Sequence, residues 1–310
     1  MRHTQTEAVR PRSAVSLLKL NARLFILRLL AALPLPLIHG MGRILGWLIY
    51  LAPGRHSARM RNNLYGSGLC QTPRACRRLL HQAIAEYGKG ILELAPVWMR
   101  PYDRVLKLVT ETRGWEKIDA ALATGHGVIF MSPHIGCFEI TSLYYAASRP
   151  LTVMYKPPRQ AALQTLMLAG RQRGQARLVP TDLAGVRALL AALKRGEAVG
   201  VLPDHVASRG DGVWAPFFGR PAYTPTLVAS LQRKTGAAAF FAVGERLAWG
   251  RGYRIHAVPM DAPLPQDKTA AATLINRGVE DMVRRFPAQY LWNYNRHKNP
   301  AGVAPPGSEP

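Results

Sequence analysis

A histidine and a glutamate five residues apart, His134 and Glu139, close an apolar run in the stretch MSPHIGCFEI at 131–140. An imidazole that hydrogen-bonds a carboxylate through one ring nitrogen can take a proton from a hydroxyl through the other. Residues five apart in one continuous helix lie about 140° apart around its axis, so this pair meets only if His134 precedes the helix. Pro133 and Gly136 favour such a loop. The stretch predicts a general base with an orienting acid, or a histidine hydrogen-bonded to nearby backbone.

Cys137, which lies between the two, offers a second chemistry, because a Cys–His pair can form an acyl-enzyme. The sequence identifies no second base and no orienting asparagine for such a nucleophile. A cysteine beside the start of a buried helix is more often a small core residue. We therefore expect a hydroxyl activated by His134 to attack an acyl group directly.

The elements that must position these residues are short apolar strands alternating with periodic helices. This alternation predicts an α/β fold with a mainly parallel mixed sheet flanked by helices on both faces. Ligands of such sheets gather at the carboxyl ends of the strands. Three stretches follow predicted strands there: SPHIGCFE after 127–131, YKPPR after 151–155 and PDHVASRGDG after 198–202.

The composition describes a basic chain of 310 residues with a formal net charge of +23, which favours an anionic partner. The lysines and arginines are spread along the chain, and no helix-turn-helix, RNP or zinc-finger pattern occurs, so we expect no nucleic-acid partner. The three cysteines, Cys70, Cys76 and Cys137, contain no CxxC motif. They are expected to form neither a disulfide framework nor a zinc site, in a reducing cytosolic environment.

The N-terminal segment 18–53 is very apolar, but arginines interrupt it and Pro34 and Pro36 break it. A spanning helix needs about 20 predominantly apolar residues, and no small-residue cleavage site follows a short apolar core. The pattern favours a membrane-associating helical hairpin with its arginines at the lipid headgroups, and two amphipathic helices packed on the domain are the alternative. The predicted organisation is a basic tail at 1–17, this anchor at 18–53, a catalytic domain at 54–300 and a disordered tail at 301–310.

The stretch SPHIGCFE resembles the HxxxxE form of the HxxxxD/E motif of membrane-associated glycerolipid-type acyltransferases. From about Leu18 to Pro300 the chain is similar to one branch, the late acyltransferases of lipid A biosynthesis, which are lauroyl and myristoyl transferases. Several motifs occur in the same order as in that branch. They are RMRNNL, RGWEKIDAALATGHGVIFMSPHIGCFE, VMYKPPR, GRQRGQ, LKRGEAVGVLPDH, WAPFFGRPAYTPT and PAQYLWNYNRHKNP.

The resemblance implies a glycerolipid-acyltransferase-like fold and an enzyme that moves a fatty acyl chain from acyl carrier protein to a hydroxyl of a phosphorylated glycolipid, the lipid A precursor. It implies that His134 is the general base and Glu139 its orienting partner, with the hydroxyl oxygen attacking the donor thioester. No metal or redox cofactor is required. The expected location is the bacterial inner membrane, with anionic lipids as partners and the catalytic domain on the cytoplasmic side.

The resemblance also implies binding residues in three segments. Arg171 or Arg173 is expected near the site, where a guanidinium can stabilise an oxyanion or clamp phosphate. In PDHVASRGDG, Asp204 is expected to orient a basic residue and Arg209 to bind a phosphate, although this chain has Val206 where related chains often carry an acidic residue. A solvated helix end and a polar surface turn are the respective alternatives.

A closing aromatic strand is predicted in QYLWNYNRHKNP, and Asn295 and Arg296 after it are expected at the edge of the site. Two alternative functions stay open at this level. The first is an acyltransferase of the same superfamily with another acceptor, a glycolipid mannoside or an aminolipid. The second is a basic membrane-surface protein without catalytic activity.

Overall fold

The computed structural model describes residues 25–158, 160–260 and 263–307, so the predicted tail at 1–17 lies outside the described residues. The helices are α1 (described from 25 to 32), α2 (Leu35–Leu51), α3 (Arg55–Tyr65), α4 (Pro73–Leu92), α5 (Leu94–Met99), α6 (Tyr102–Leu106), α7 (Trp115–Leu122), α8 (Phe138–Ala146), α9 (Ala161–Arg171), α10 (Leu183–Lys194), α11 (Leu227–Thr235) and α12 (Lys268–Arg285). The strands are β1 (Val109–Arg113), β2 (Val128–Met131), β3 (Leu151–Tyr155), β4 (Ala176–Pro180), β5 (Ala198–Val201), β6 (Gly212–Phe217), β7 (Arg220–Pro225), β8 (Ala238–Arg246) and β9 (Tyr253–Pro259).

Seven strands form one sheet in the order β1-β9-β8-β2-β5-β3-β4, and β6 and β7 form a separate hairpin. Every neighbouring pair in the large sheet is parallel except β8 and β9. The predicted α/β fold with a mainly parallel mixed sheet is therefore confirmed.

Both faces of the sheet are covered, which explains why β2 is a continuous apolar run. Ile129 and Met131 belong to one core with α10, α11 and α12, while Val128 and Phe130 belong to another with α7 and α8. Because consecutive residues of a strand point to opposite faces, a strand buried on both sides needs an apolar side chain at every position. All four residues of β2 are buried.

The carboxyl ends of β2, β5 and β3 are neighbours, because β5 lies between the other two and all three are parallel. Met131, the last residue of β2, is paired with Val201, the last residue of β5. The loops that follow these strands therefore start side by side. This is the edge at which the sequence predicted a site.

The predicted break in the N-terminal segment is present, since α1 ends at 32 and α2 begins at Leu35. The inner face of α2 packs on α4 at a crossing of three glycines, where a Cβ added to Gly88 would lie 2.0 Å from the carbonyl oxygen of Gly42 and 2.7 Å from Cα of Gly46. Among the described residues, no single helix is long and apolar enough to cross a bilayer, although α2 and α3 together, bent by 100°, meet that length and composition.

The cysteine prediction is wrong for two of the three residues, because Cys70 and Cys76 form a disulfide. They flank the turn that leads into α4 at Pro73, and this turn brings residues six apart in sequence within bonding distance. Neither the odd number of cysteines nor the missing CxxC motif carries information about that proximity.

The predicted closing strand is also wrong. Within 289–296 only Tyr290 makes a strand-like bridge, to Ile135, and the backbone otherwise forms local turns. Asn63 of α3 fixes this segment by donating to the carbonyl oxygens of Trp292 and Tyr294, at 2.7 and 2.8 Å. In the C-terminal segment, where disorder was predicted for 301–310, the indole of Trp214 donates to the carbonyl oxygen of Ala304 at 2.9 Å. The predicted domain boundaries stay predictions.

Candidate active site

His134 lies in the loop between β2 and α8, as its spacing to Glu139 required. The strand ends at Met131 and the helix begins at Phe138. Gly136 has a φ of 59° and passes so close to β8 that a Cβ there would lie 2.1 Å from the carbonyl oxygen of Gly244. Only glycine satisfies both conditions without strain, and this loop therefore has a fixed path past the neighbouring strand.

Asp204, not Glu139, provides the carboxylate that contacts His134. Nδ1 of His134 lies 2.9 Å from Oδ1 of Asp204, and the backbone N–H of His134 donates to Oδ2 at 3.0 Å. Each residue stands three positions beyond the paired residues Met131 and Val201, so the sheet register itself places them opposite each other.

The aspartate is ionised although it is only 2% exposed. Burial disfavours its charge, but the electrostatic interaction and hydrogen bonds with His134 outweigh this and lower the pKa of Asp204 to about 2. An ionised carboxylate on Nδ1 places the proton of the neutral imidazole on that nitrogen. The lone pair of the ring is therefore on Nε2.

Glu139 lies in the first turn of α8, as predicted, but its side chain points to α9. There Nε of Arg171 donates to its carboxylate oxygens at 2.8 and 3.1 Å, and Nη2 donates to Oε1. Burial of the guanidinium opposes its charge, and the charge of Glu139 outweighs this and raises the pKa of Arg171. The structure thus does not bring His134 and Glu139 together, and it adds a second charged pair beside the first.

His205 was missed by the sequence reasoning, although it follows Asp204 in the quoted PDH stretch. Its ring stacks on that of His134 with centroids 4.7 Å apart and planes 10° apart, and the two Nε2 atoms are 3.1 Å apart. Burial, with the nearby His134, lowers the pKa of His205 to about 4, so this ring is neutral at pH 7. Since Nε2 of His134 carries the lone pair, Nε2–H of His205 is the donor in this contact.

Tyr294 supports His205 from its other side. The two rings stack with centroids 5.5 Å apart, and the phenol oxygen of Tyr294 accepts from the backbone N–H of Val206 at 3.0 Å. Val206 thus contributes a backbone contact. The aromatic and asparagine residues around Tyr294 indicate a candidate functional segment in the sequence. Its contact with residues 205–206, however, depends on the fold and has no local pattern.

A cavity of about 950 Å³ opens at this edge of the sheet, within the size range of small-molecule sites. It is lined by residues from all three predicted strand ends, including His134 after β2, Lys156 after β3 and His205 after β5. Glu139, Arg171 and Lys298 line it as well. Much of the remaining wall is apolar and includes Trp115, Ile118, Phe130, Tyr145, Leu151 and Met167.

Arg173 and Arg209 are not among the residues that line the cavity. Arg173 donates to the carbonyl oxygens of Trp98 and Arg100, the latter at 2.7 Å, and so fixes the end of α5. Arg209 is exposed beside Gly302, where a Cβ would lie 3.2 Å from its Cδ. The expected roles of these two arginines in the site are not supported by their positions.

Arg296 is 2% exposed and lies beneath the β6–β7 hairpin, outside the cavity lining. It donates to the carbonyl oxygen of Tyr223 at 3.1 Å, to Oγ1 of Thr224 at 2.7 Å and to Oδ1 of Asn276 at 3.1 Å. Burial lowers its pKa. Arg296 therefore ties the closing segment to the hairpin, while Asn295 beside it is half-buried.

Cys137 is 2% exposed, does not line the cavity, and has a pKa raised well above its ordinary value by burial. A thiol becomes nucleophilic as the thiolate, which this environment disfavours. The position of Cys137 agrees with the core role expected from the sequence.

An imidazole oriented by a buried carboxylate, at the wall of a large and partly apolar cavity, can carry out general base chemistry on a substrate with an apolar portion. Residues 7–299 match the model of the family described as bacterial lipid A biosynthesis acyltransferase, and the chain belongs to this family. It is thus an acyltransferase of lipid A biosynthesis, and the family implies a lipid A precursor as acceptor.

Three curated relatives extend this similarity over most of their length. The chain is 28% identical to the lipid A biosynthesis lauroyltransferase of Escherichia coli (strain K12), over 90% of this chain and 91% of that protein. It is 26% identical to the lipid A biosynthesis palmitoleoyltransferase of the same strain, over 88% and 89%. A lipid A biosynthesis acyltransferase of Haemophilus influenzae is 27% identical over 88% of each chain.

Proposed function

We propose that this chain transfers a fatty acyl group from acyl carrier protein to a hydroxyl of a lipid A precursor, as a secondary acylation. The observation that carries the proposal is the His134–Asp204 pair, in which a buried carboxylate holds Nδ1 of an imidazole that lines the cavity. Family membership supports the acceptor class. The relatives named as lauroyltransferase and palmitoleoyltransferase support a fatty acyl group as the transferred unit.

In the proposed reaction, Nε2 of His134 takes the proton of the acceptor hydroxyl while the oxygen attacks the thioester carbonyl carbon. Asp204 stabilises the imidazolium that forms, as a carboxylate on Nδ1 does in other general base sites. The tetrahedral oxyanion then collapses, the carbon–sulfur bond breaks, and the proton passes from Nε2 to the departing thiolate. The products are the new ester and the free carrier thiol, with His134 returned to its neutral state.

Arg171 is proposed to stabilise the oxyanion. Its guanidinium lines the same cavity as His134, and a cation placed where negative charge develops lowers the barrier of acyl transfer. Glu139 holds the guanidinium through the bidentate contact at Nε and Nη2, so Glu139 acts through Arg171 and is a positioning residue. His134 and Glu139, the two residues of the HxxxxE motif, thus both take part in the proposed reaction, but each contacts a different partner.

His205 imposes a condition on the acceptor. Its Nε2–H occupies the lone pair of His134 in this structure, so the acceptor hydroxyl must replace His205 at that nitrogen before it can be deprotonated. A neutral ring with a pKa of about 4 gives up this contact without breaking an ion pair. His205 therefore shields the base from water until the acceptor arrives.

The charge distribution suits the proposed partners and location. Lys156 and Lys298 are exposed at the cavity, and neither lies within ion-pair distance of a carboxylate among the described residues, so both are available to acceptor phosphates. The net charge of +23 is complementary to an acidic carrier protein and to anionic lipids. We therefore propose the bacterial inner membrane as the location, with the catalytic domain on the cytoplasmic side.

The test is transfer by the purified protein from an acyl-carrier-protein thioester to a lipid A precursor in mixed micelles, followed by mass spectrometry of the product lipid. The expected product is heavier by one fatty acid minus water, and base treatment should remove that acyl group as an ester. Coenzyme A thioester is the matched donor control and is expected to react more slowly.

Mass spectrometry of lipid A from cells with and without this chain gives an independent readout. A missing secondary acyl chain in cells that lack the protein identifies both position and chain length. Unchanged lipid A, together with acylation of a glycolipid mannoside or an aminolipid by the purified protein, would replace the proposed acceptor.

A further inference from the structure

The turn between β8 and β9 presents the most exposed large apolar side chain among the described residues. Trp249 is 88% exposed and has a φ of 61°, in the left-handed region that costs an L-residue about 1–2 kcal/mol. Among the described residues, Phe218 is the one other non-glycine with a positive φ. The backbone thus adopts an unfavourable conformation while the indole is held in water, and neither property benefits the folded domain.

This turn is fixed against the start of α2. A Cβ on Gly250, the residue after the tryptophan, would lie 2.4 Å from the backbone nitrogen of Pro36. Both strand ends are also pinned, since Arg246 donates to Glu93 at 2.8 Å through Nε and the phenol of Tyr253 donates to the same carboxylate at 3.0 Å. The indole therefore has a fixed position relative to α2.

The outer face of α2 continues the apolar surface. Its exposed side chains recur at intervals of three and four residues, which places them in one stripe along the helix. Leu37 is 55% exposed, Ile44 63% and Leu51 72%. The full set of exposed apolar residues, with those of α1, is Phe25, Ile26, Leu29, Leu37, Met41, Ile44, Leu48 and Leu51.

Basic residues border this surface. Arg28, Arg43, Arg55 and Arg251 are all exposed, and none of them lies within ion-pair distance of a carboxylate in the part of the chain that the structure describes. An apolar stripe bordered by unpaired arginines is complementary to an anionic bilayer, in which the apolar part enters the acyl region and the guanidinium groups meet the phosphates. Tryptophan has its own preference for that interface.

The surface also lies at the edge of the sheet where the candidate site is. β8 is parallel to β2, so its carboxyl end, which leads into the Trp249 turn, is on the same side as the loop that carries His134. The two segments meet where Gly244 bridges Gly136. A lipid acceptor that leaves the bilayer at this edge reaches the cavity without crossing the sheet.

We propose that Trp249, the described part of α1 and the outer stripe of α2 form one bilayer-contacting surface, with Trp249 inserted at the depth of the headgroups. The catalytic domain then binds the membrane through its own β8–β9 turn as well as through the N-terminal segment. This inference rests on the proposed function for its orientation toward a lipid acceptor. A second copy of the chain is the competing occupant, and the experiment separates the two.

The first measurement is quenching of tryptophan fluorescence by vesicles of anionic phospholipid brominated at defined acyl positions, with the full chain. Shallow bromines are expected to quench a component that disappears in Trp249→Phe, while that variant still binds because phenylalanine retains the apolar bulk. Trp214→Phe is the matched control, since this half-buried indole pairs with Tyr223 and Ala304 away from the turn. The quenched component should persist in Trp214→Phe.

The second measurement is partition into unbrominated anionic vesicles by flotation. Trp249→Glu is expected to lower the partition coefficient about tenfold, because it replaces an apolar ring with a charge that the lipid phosphates repel. Trp249→Phe is expected to stay within about threefold of the parent chain. Both variants should retain the thermal unfolding midpoint of the parent, since the side chain is solvent-exposed.

Bound protein with equal quenching in the parent and Trp249→Phe would overturn the proposal, as would absence of vesicle binding by the parent chain. A dimer in solution that Trp249→Glu dissociates would assign the surface to a second copy and equally overturn it. None of these readouts requires acyl transfer, and transfer in detergent micelles requires no bilayer. Failure of one inference is therefore distinguishable from failure of the other.

Discussion

Two buried carboxylates in this molecule have similarly lowered pKa values but lie in different surroundings. Asp204 and Glu93 are 2% and 1% exposed, and in each, contacts with a basic partner outweigh burial and lower the pKa to about 2. The partner of Asp204 is an imidazole that lines a cavity. The partner of Glu93 is Arg246, whose side chain is 2% exposed and which also binds Glu86 at 2.5 Å.

The difference shows that a depressed carboxyl pKa does not by itself identify a catalytic group. General base chemistry needs a side chain that can accept a proton and a space for substrate, and the Asp204 pair offers an imidazole at the wall of a cavity. Arg246 stays charged at all relevant pH values, and its guanidinium is sealed between β8, α4 and α5. The Glu93 pair therefore serves the packing of the domain, whereas the Asp204 pair is the one proposed to serve the reaction.

The largest expected effect is on the rate of acyl transfer in His134→Ala. The rate should fall about a thousandfold or more, because the proposed general base is removed. Asp204→Asn is expected to lower the rate about a hundredfold, since an amide accepts from Nδ1–H but cannot stabilise the imidazolium. Initial rates of acyl transfer in micelles provide the measurement. Retention of full activity in Asp204→Asn would remove the aspartate from the mechanism.

Glu93→Gln is expected to lower the stability of the protein and to leave its activity nearly unchanged. It leaves the buried charge of Arg246 without its closest partner, which costs about 3–5 kcal/mol of unfolding free energy, while transfer per folded molecule stays near that of the parent. Denaturant unfolding in detergent measures the first quantity. Glu111→Gln is the control, since that carboxylate forms solvent-screened ion pairs with Arg113 and Arg254 and should change the unfolding free energy far less.

A fall in pH is expected to lower the free energy of unfolding through His205, which contacts the Asp204 pair and not the Glu93 pair. Its pKa of about 4 in the folded state lies below the ordinary 6.5, so between these values the unfolded chain binds a proton that the folded chain does not. The unfolding free energy is therefore unaffected by this ring above pH 6.5 and falls as the pH drops toward 4, by about 3 kcal/mol. Asp204 stays ionised in this window, because its pKa is about 2.

The measurement for this prediction is the unfolding midpoint at pH 7 and at pH 4.5, in the parent chain and in His205→Gln. The slope between the two pH values is expected to flatten in the variant. An unchanged slope would assign the acid sensitivity to other groups.

The smallest expected effect belongs to Cys137. Cys137→Ala removes a buried thiol outside the cavity, so transfer should stay within about threefold of the parent rate. Mass spectrometry of the protein during turnover is the second readout. An acyl group trapped on Cys137 would show a covalent intermediate and would contradict direct attack by the acceptor hydroxyl.

Much of the fold could be predicted from the spacing of apolar residues. The residues that α10 and β2 bury are regularly spaced or continuous in the sequence, so the pattern indicates a helix and a buried strand. The weakly patterned strands β1 and β4 and the β6–β7 hairpin were not predicted, since their residues alternate with exposed polar positions or include prolines. The closing segment was mistaken for a strand because aromatic content predicts strand propensity. Asn63, more than two hundred residues earlier, determines its actual path.

The cavity lies at the edge of the sheet that the sequence predicted, but neither the His134–Asp204 pair nor the Glu139–Arg171 pair was predicted. The strand ends after β2, β3 and β5 indicated the correct edge, and His134 was placed in the correct loop. The partner of His134 depended on the register of β2 with β5, which no local pattern reveals. Glu139 was assigned to the nearest histidine in sequence, whereas α8 directs it toward Arg171 on α9.

The glycine crossing of α2 and α4 has a consequence for how far the enzyme can move relative to a membrane. Gly42, Gly46 and Gly88 bring the two backbones into contact, and no side chains lie between them there. The two helices therefore resist sliding or tilting against each other. The position of α2 against α4 is therefore fixed. In the proposed membrane orientation, a lipid whose reactive hydroxyl lies deeper than the His134 ring would have to rise to meet the imidazole, because the enzyme could not lower the ring by sliding α2 along α4.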